Sequence, residues 1–400
     1  MNRRRAYLDY NASAPLLDAA RAAMVAALDV VGNPSSVHGE GRKVRQLIEA
    51  ARRQVAALVN GKAEHVVFTS GATEAACTLL TPDWQMGRSA LRMSKLYVCS
   101  TDHVCILNGG RFPASDVRQI GVNGQGIIDL EALQDALASH DREEGLPLVA
   151  VHAVNNETGV VQPVTEIAAM VRQAGGIFVL DAAQAGGRIV LDLNQEIADF
   201  ILLSSHKMGG PKGVGAIAAT SDLMMPKPLI TGGGQERGHR AGTENPAAII
   251  GFGVAAEAAA QALTEADGLR EMRDRLEERI RQISTEVVIH GAGAQRVSNT
   301  TFFSIPGMKA ETAQIALDLA GISVSSGSAC SSGKVGPSHV LKAMGFTGQD
   351  GALRVSIGPG TTDEEIDDFA HALGELLARR KSETKAVSAR QAEIPVRMTT

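Results

Sequence analysis

Residues 177–215 read IFVLDAAQAGGRIVLDLNQEIADFILLSSHKMGGPKGVG, and two apolar runs in this stretch decide the fold. IFVLDAA (177–183) and FILLSS (200–205) show no polar alternation, as expected of strands buried on both faces. The first run ends on Asp181, with Gln184 just beyond it. The second opens into a glycine-rich turn that begins at Lys207. Further strands are predicted at VVFTS (66–70), LYVCS (96–100), LVAVHAV (148–154) and VGAIAAT (214–220). Between them lie amphipathic helices over 44–59, 129–140 and 163–175. Strands separated by helices of this length imply βαβ crossovers and a largely parallel sheet. A helix from Glu244 to Arg281, broken near Asp267-Gly268, leads to strand, helix, loop, strand and helix, the content of a small α+β unit. The expected architecture is α/β, with a large domain over 15–260 and a smaller domain from 1–14 and 261–381. The polar stretch 382–400 has no apolar pattern and is expected to be a disordered tail.

Bulk properties narrow the function. The 400 residues are 44% hydrophobic and 3% aromatic, so the core must be built from Ala, Val, Ile and Leu. Few aromatics and a net charge of −5 argue against nucleic-acid binding and against an anionic membrane surface. The four cysteines, Cys77, Cys99, Cys105 and Cys330, form no C-x-x-C pair and no disulfide framework. The basic N-terminus lacks the apolar run of a secretory signal, and a cytoplasmic enzyme is the expectation.

Four segments carry residue types suited to chemistry. A lysine in a βα loop is ordinarily a surface residue. Lys207, however, follows an apolar strand among glycines in SSHKMGGPKGVG, where open α/β sheets place their ligands. Desolvated there, its amine suits a Schiff base, and Ser204 and His206 supply donors for a phosphate beside it. Asp181 alone would read as a helix cap. Paired with a lysine after the next strand, it fits the carboxylate that keeps a pyridine nitrogen protonated in pyridoxal-phosphate (PLP) chemistry. TSGATEAA (69–76) would present Gly71, Ala72 and Thr73 to an anion at a helix N-terminus, without the spacing of a P-loop. His103, in TDHVCI, lies just past a strand, where its ring could face a cofactor and move protons. Finally, Cys330 sits in the Gly/Ser-rich SSGSACSSGKVG, unlike the other three cysteines, which read as packing residues. A loop of that composition would let a thiolate reach a cleft and swing outward.

With these residues in place the chain resembles the cysteine desulfurases, in particular the group serving nitrogen fixation and general iron–sulfur cluster assembly. The resemblance is carried by YLDYNASAP, GNPSSVHGEGR, GATE, NNETGVVQP, DAAQ, SSHKMGGPKGVG, RAGTENPAAIIGFG, SSGSACSSG, PSHVLKAMG and LRVSIGPGTTDEEID. It implies the fold type I, aspartate-aminotransferase-like architecture of PLP-dependent transferases, and a homodimer. It also implies roles. Lys207 would hold PLP and move protons, Asp181 would pair with the pyridine nitrogen, and His103 would stack on the ring. Gln184 would bond the phenolic oxygen, with Asn156 beside it and the substrate. Ala72, Thr73, Ser204 and His206 would bind phosphate, joined by Thr243 from the other subunit. Arg354 would clamp the carboxylate of L-cysteine, with Asn33 nearby. Cys330 would take the sulfur as a persulfide, leave L-alanine, and pass the sulfur to an iron–sulfur scaffold protein, transiently contacting a cluster there. No resident metal is implied.

The chain departs from the family pattern at AACTLL after GATE, where asparagines are usual, and over TPDWQMGRSALRMSK, a helical region in the family. It departs again at HVCILNGG and at Pro359, where a second arginine is common. Two other readings share parts of the evidence. A PLP-dependent aminotransferase or selenocysteine lyase would keep Lys207 and Asp181, and as an aminotransferase would leave Cys330 without a task. A non-enzymatic scaffold would have no reason to combine Lys207, Asp181, His103, Arg354 and Cys330.

Overall fold

The computed structural model describes residues 5–327 and 338–392. The chain begins with a short strand, β1 (Ala6–Tyr7), and two helices, α1 (Asp18–Leu28) and α2 (Gly39–Leu58). A nine-stranded sheet follows, built from β2 (Val66–Thr69), β3 (Asp83–Met86), β4 (Ser89–Cys99), β5 (Val117–Ile120), β6 (Leu146–His152), β7 (Ile177–Asp181), β8 (Phe200–Ser204), β9 (Gly215–Ala219) and β10 (Met224–Pro226). Its order is β10-β3-β4-β6-β7-β8-β9-β2, with β5 paired to β4. β4, β5, β6, β7 and β8 run parallel; β9 is antiparallel to β8, and β2 to β9. The sheet is therefore mixed rather than uniformly parallel, with its parallel block at the centre.

The apolar runs work as their sequence suggests. On β6, β7 and β8, residues Val149, Val151, Phe178, Leu180, Ile201 and Leu203 enter one core cluster. Their alternating neighbours Leu148, Ala150, Ile177, Val179, Phe200 and Leu202 enter a second cluster on the opposite face. Period-2 side chains with both faces covered leave no polar position along the strand. Crossovers are supplied by α3 (Ala72–Leu79), α4 (Val104–Leu107), α5 (Leu130–Ala138) and α6 (Val164–Gln173). Helix α2 buries Val44, Ile48, Ala51 and Val55, one stripe at helical spacing, against the long helix α7 (Pro246–Ala262). Gly253 on α7 permits that approach, since a Cβ there would lie 2.7 Å from Ala51.

The remaining elements are α8 (Ala266–Ile283), β11 (Val288–Ile289), β12 (Thr300–Ser304), α9 (Ala310–Leu319), β13 (Ile322–Ser323), β14 (Ser325–Ser326), α10 (His339–Ala343), β15 (Leu353–Ser356) and α11 (Asp363–Ala392). They form a four-stranded sheet, β11-β12-β15-β14, over a separate core that includes Phe303, Leu353, Phe369 and Leu373. β1 joins this region by pairing with β13, and the segment after it returns to the large sheet.

The departure from the family pattern over TPDWQMGRSALRMSK is structural: residues 83–99 form the hairpin β3–β4; Gly87, at φ 59°, makes the turn, and Trp84 is fully buried against Phe200. Two local expectations are corrected. The long helix breaks at a 3-10 turn over Leu263–Glu265, a few residues before Asp267-Gly268. α11 continues through 382–392, which had read as disordered, because SETKAVSARQA contains good helix formers and no proline or glycine. Residues 393–400 lie outside the described ones. Among the described residues no single helix is long and apolar enough to cross a membrane.

Candidate active site

The parallel strands β4, β6, β7 and β8 end on one edge of the sheet, and the N-terminus of α3 meets them there. Ligands of open α/β sheets bind outside such carboxyl ends. A cleft of about 450 Å³ opens at this edge, lined among others by Ala72, Thr73, His103, Asn156, Asp181, Gln184, Ser204, His206 and Lys207. Nine residues expected from sequence to surround one ligand are thus brought together from five separate chain segments.

Lys207 lies in a single 3-10 turn (Ser205–Lys207) directly after β8. Its Nζ donates to the carbonyl oxygens of Asn11, at 2.6 Å, and Ala12, at 3.0 Å. The N-terminal segment therefore reaches into the cleft, and Asn11, Ala12 and Ser13 line it. Asp181 closes β7 with its carboxyl group buried, accepting from the Ala183 N–H at 2.9 Å. Burial pushes its pKa up to about 6, against the Ala183 N–H; Asp102 adds to the rise, while His152 and Lys207 oppose it. A buried acid in this state is poised to pair with a cationic partner.

His103 caps α4, its Nδ1 accepting from the Cys105 N–H at 3.3 Å. Burial, then the charge of Lys207, lowers its pKa and favours the neutral imidazole. His206 is driven lower, to about 4, by burial and by Lys207 and Lys212. Its Nδ1 lies 3.3 Å from Ser13 Oγ. The turn before α3 packs tightly on the sheet, where a Cβ on Gly215 would fall 2.7 Å from Gly71 Cα. Glycine at 215 is what lets the helix N-terminus, with Ala72 and Thr73, sit at the strand edge. Gln184 is buried, donates to the Asn11 carbonyl at 2.9 Å and accepts from Arg188.

The other sequence-predicted residues lie elsewhere in this single chain. Arg354, on β15, is buried, with Nη2 2.7 Å from an Asp9 carboxylate oxygen and Nη1 2.9 Å from the Asn156 carbonyl. It touches the cleft through Asn156. Asn33 is exposed and accepts from the Ser35 N–H at 2.8 Å; neither it nor the exposed Thr243 lines the cleft. Cys330 lies outside the described residues.

Several lining residues went unmarked in the residue-level reading. Asn11 and Ser13 precede the first helix by sequence, and nothing local signals that they return to the cleft. Lys212 stood inside a quoted motif but was overshadowed by Lys207. Cys105, read as a packing residue, is buried yet lines the cleft, with Sγ 3.0 Å from His103 Nδ1. His152, at the end of β6, was hidden within an apolar run.

Residues 6–369 match the family described as Aminotransferase class-V. The chain is 39% identical over 385 residues to the cysteine desulfurase of Cereibacter sphaeroides, covering 93% of this chain and 96% of that protein. It is 36% identical over 383 residues to cysteine desulfurase IscS 1 of Archaeoglobus fulgidus, covering 94% and 98%. Among solved structures, the NifS-like protein from Rickettsia africae superposes with a TM-score of 0.84 at 30% identity, covering 94% of this chain and 100% of that one. The α/β architecture read from the sequence is the fold type I architecture that these relatives share. The chain belongs to the class-V aminotransferase family and, within it, to the cysteine desulfurases.

Proposed function

We propose that this protein is a PLP-dependent cysteine desulfurase that takes sulfur from L-cysteine, leaves L-alanine and holds the sulfur as a persulfide on Cys330. The observation that carries the reading is the meeting of Lys207 and buried Asp181 in one cleft beside the N-terminus of α3. The donor set fits the cofactor. A buried carboxyl raised to about 6 suits a ring N–H⁺, a lysine amine suits an aldehyde, and helix N–H groups with Thr73, Ser204 and His206 suit a phosphate. When bound, PLP supplies an electron sink for bonds broken at the substrate's α-carbon.

The chain's own groups divide the remaining work. Lys207 Nζ would hold the cofactor and would move protons at the substrate's α-carbon. His103, kept neutral by burial and by Lys207, would accept or return a proton in the cleft. Gln184 and Asn156 orient the ring oxygen and the substrate. Arg354 binds the substrate carboxylate, with Asn33 nearby, and Thr243 of a second copy completes the phosphate site. In the transfer itself the Cys330 thiolate attacks the substrate sulfur. An S–S bond forms, the Cβ–S bond breaks with its electron pair left on carbon, and protonation there gives alanine.

A homodimer is part of this reading. It is supported by Val25, Leu28, Val31 and Val37, all more than half exposed on and just after α1. An iron–sulfur scaffold as sulfur acceptor, nitrogenase maturation as one destination and a cytoplasmic location complete it. The test is a cysteine-dependent assay of the purified protein, with a thiol reductant present to discharge the persulfide, for alanine and sulfide in stoichiometric amounts. Transamination of cysteine without sulfide release would favour the aminotransferase alternative.

A further inference from the structure

Behind Asp181 lies a buried pair that none of the assigned roles uses. His152 ends β6 and is the register partner of Asp181 on the adjacent parallel strand β7. Paired residues on neighbouring strands sit about 4.8 Å apart and project to the same side, and both of these line the cleft. His152 Nδ1 lies 2.5 Å from Asp102 Oδ1, and the two side chains are 4% and 0% exposed. Asp102 also accepts the His152 N–H at 2.8 Å and the Cys99 N–H at 2.7 Å. The other two contacts show this carboxylate acting as an acceptor, so the ring nitrogen facing it, Nδ1, is the one assigned the imidazole proton. On the other side, His152 Nε2 lies 3.2 Å from Gln162 Nε2. That amide is fixed by its own bonds, Nε2 donating to the Gly126 carbonyl and Oε1 accepting the Ile128 N–H. Nε2 of His152 is therefore an acceptor, and the chain Gln162–His152–Asp102 is closed at both ends.

We propose that Asp102 and His152 are positioning residues for the cofactor site: the fixed charge of Asp102, covered by the His152 N–H, sets the potential that Asp181 and the ring beside it experience. Asp102 also precedes His103, so the same carboxylate anchors the turn that carries the stacking histidine. The groups facing Asp181 are Asp102, His152, Lys207 and Cys105, whose thiol is pushed upward by burial, with His103 across the cleft. In a dry site at this range, baring or removing one charge moves a proton affinity by about one pH unit. Baring Asp102 makes the potential more negative and tightens nearby protons, whereas deleting its charge loosens them.

This inference rests on the PLP reading above, so the experiment begins with cofactor loading of the wild type. The readout is the pH midpoint of the bound cofactor's visible absorption band, measured without substrate. Relative to wild type, His152→Leu should raise the midpoint by about one unit and Asp102→Asn should lower it by a similar amount. His152→Asn, whose amide can replace the Nδ1 donor, should return it toward the wild-type value. Opposite shifts separate electrostatic positioning from general damage, and Asp102→Asn is isosteric should the leucine variant fold poorly. Midpoints that stay put, or move the same way in His152→Leu and Asp102→Asn, would overturn the proposal while leaving the PLP reading intact. A wild type that takes up no PLP would overturn both.

Discussion

The Ser338 hydroxyl donates a 2.5 Å hydrogen bond to Glu157 Oε2, and both residues are buried. Gly327 packs on the same oxygen: a Cβ there would lie 2.9 Å from it. Glu157 therefore touches both described residues that flank 328–337, the segment holding Cys330. Burial raises its pKa from 4.5 to about 7, opposed by the Ser338 bond and by Arg354. Because the folded value lies above the unfolded one, the protonated form stabilises the fold. That contribution is complete below pH 4.5 and is lost as pH rises through about 7. Glu157→Gln should thus be more stable than wild type at pH 8 by roughly 3 kcal/mol, with the gap closing near pH 4.5. Urea melts at several pH values would show this, and a difference independent of pH would contradict it.

Lys207→Ala should abolish turnover and the covalent attachment of PLP. The lysine is held at the strand edge by the Asn11 and Ala12 carbonyls, facing the cleft that Asp181 shares. Borohydride reduction of the wild type followed by peptide mapping should mark Lys207. A mark on another lysine, Lys212 in the same cleft being the nearest competitor by sequence, would refute the assignment.

These two cases show what the sequence could and could not disclose. That Lys207 and Asp181 share one cleft was legible because apolar runs fix strand ends, and both residues stand at the ends of strands that finish on the same edge. The central sheet followed from the same runs. The hairpin over Asp83–Cys99 was not legible as such, since its outer face is polar and the pairing depends on one turn at Gly87. Nor was His152: a histidine inside an apolar run reads as core until its register partner is known to be Asp181. Asn11 reaches the cleft only because β1 pairs with β13, more than three hundred residues away, and no local pattern encodes that contact.

Arg354→Lys should raise KM for cysteine while changing PLP affinity little. The guanidinium now spans Asp9 and the Asn156 carbonyl with two separate N–H groups, a fork that a single ammonium cannot reproduce. Loss of one charge-assisted contact costs about 1.5–3 kcal/mol, or roughly ten- to a hundredfold in KM. Weaker anchoring of Asp9 should also lower the melting temperature. Unchanged cysteine kinetics alongside a lowered melting temperature would confine Arg354 to a structural role.

Cys330 should be the residue that carries a persulfide after cysteine is added. Sulfur transfer needs a thiolate, and the other cysteines are poorly placed to supply one. Cys99 is fully buried, and desolvation with nearby Asp102 pushes its thiol up to about 12. Cys105 faces the cleft, but burial and the nearby carboxylates Asp181 and Asp102 push its thiol higher still. Cys77 lies on α3, outside the residues that line the cleft. Cys330→Ser should still bind PLP and change its absorption spectrum when cysteine is added, yet release neither alanine nor sulfide. Cys105→Ser should keep turnover within a few-fold of wild type, because a neutral thiol contributes no nucleophile at neutral pH. Mass spectrometry of peptides after a cysteine pulse gives the direct measurement. A sulfur adduct on Cys105, or full activity in Cys330→Ser, would move the nucleophile from the Gly/Ser-rich segment into the cleft.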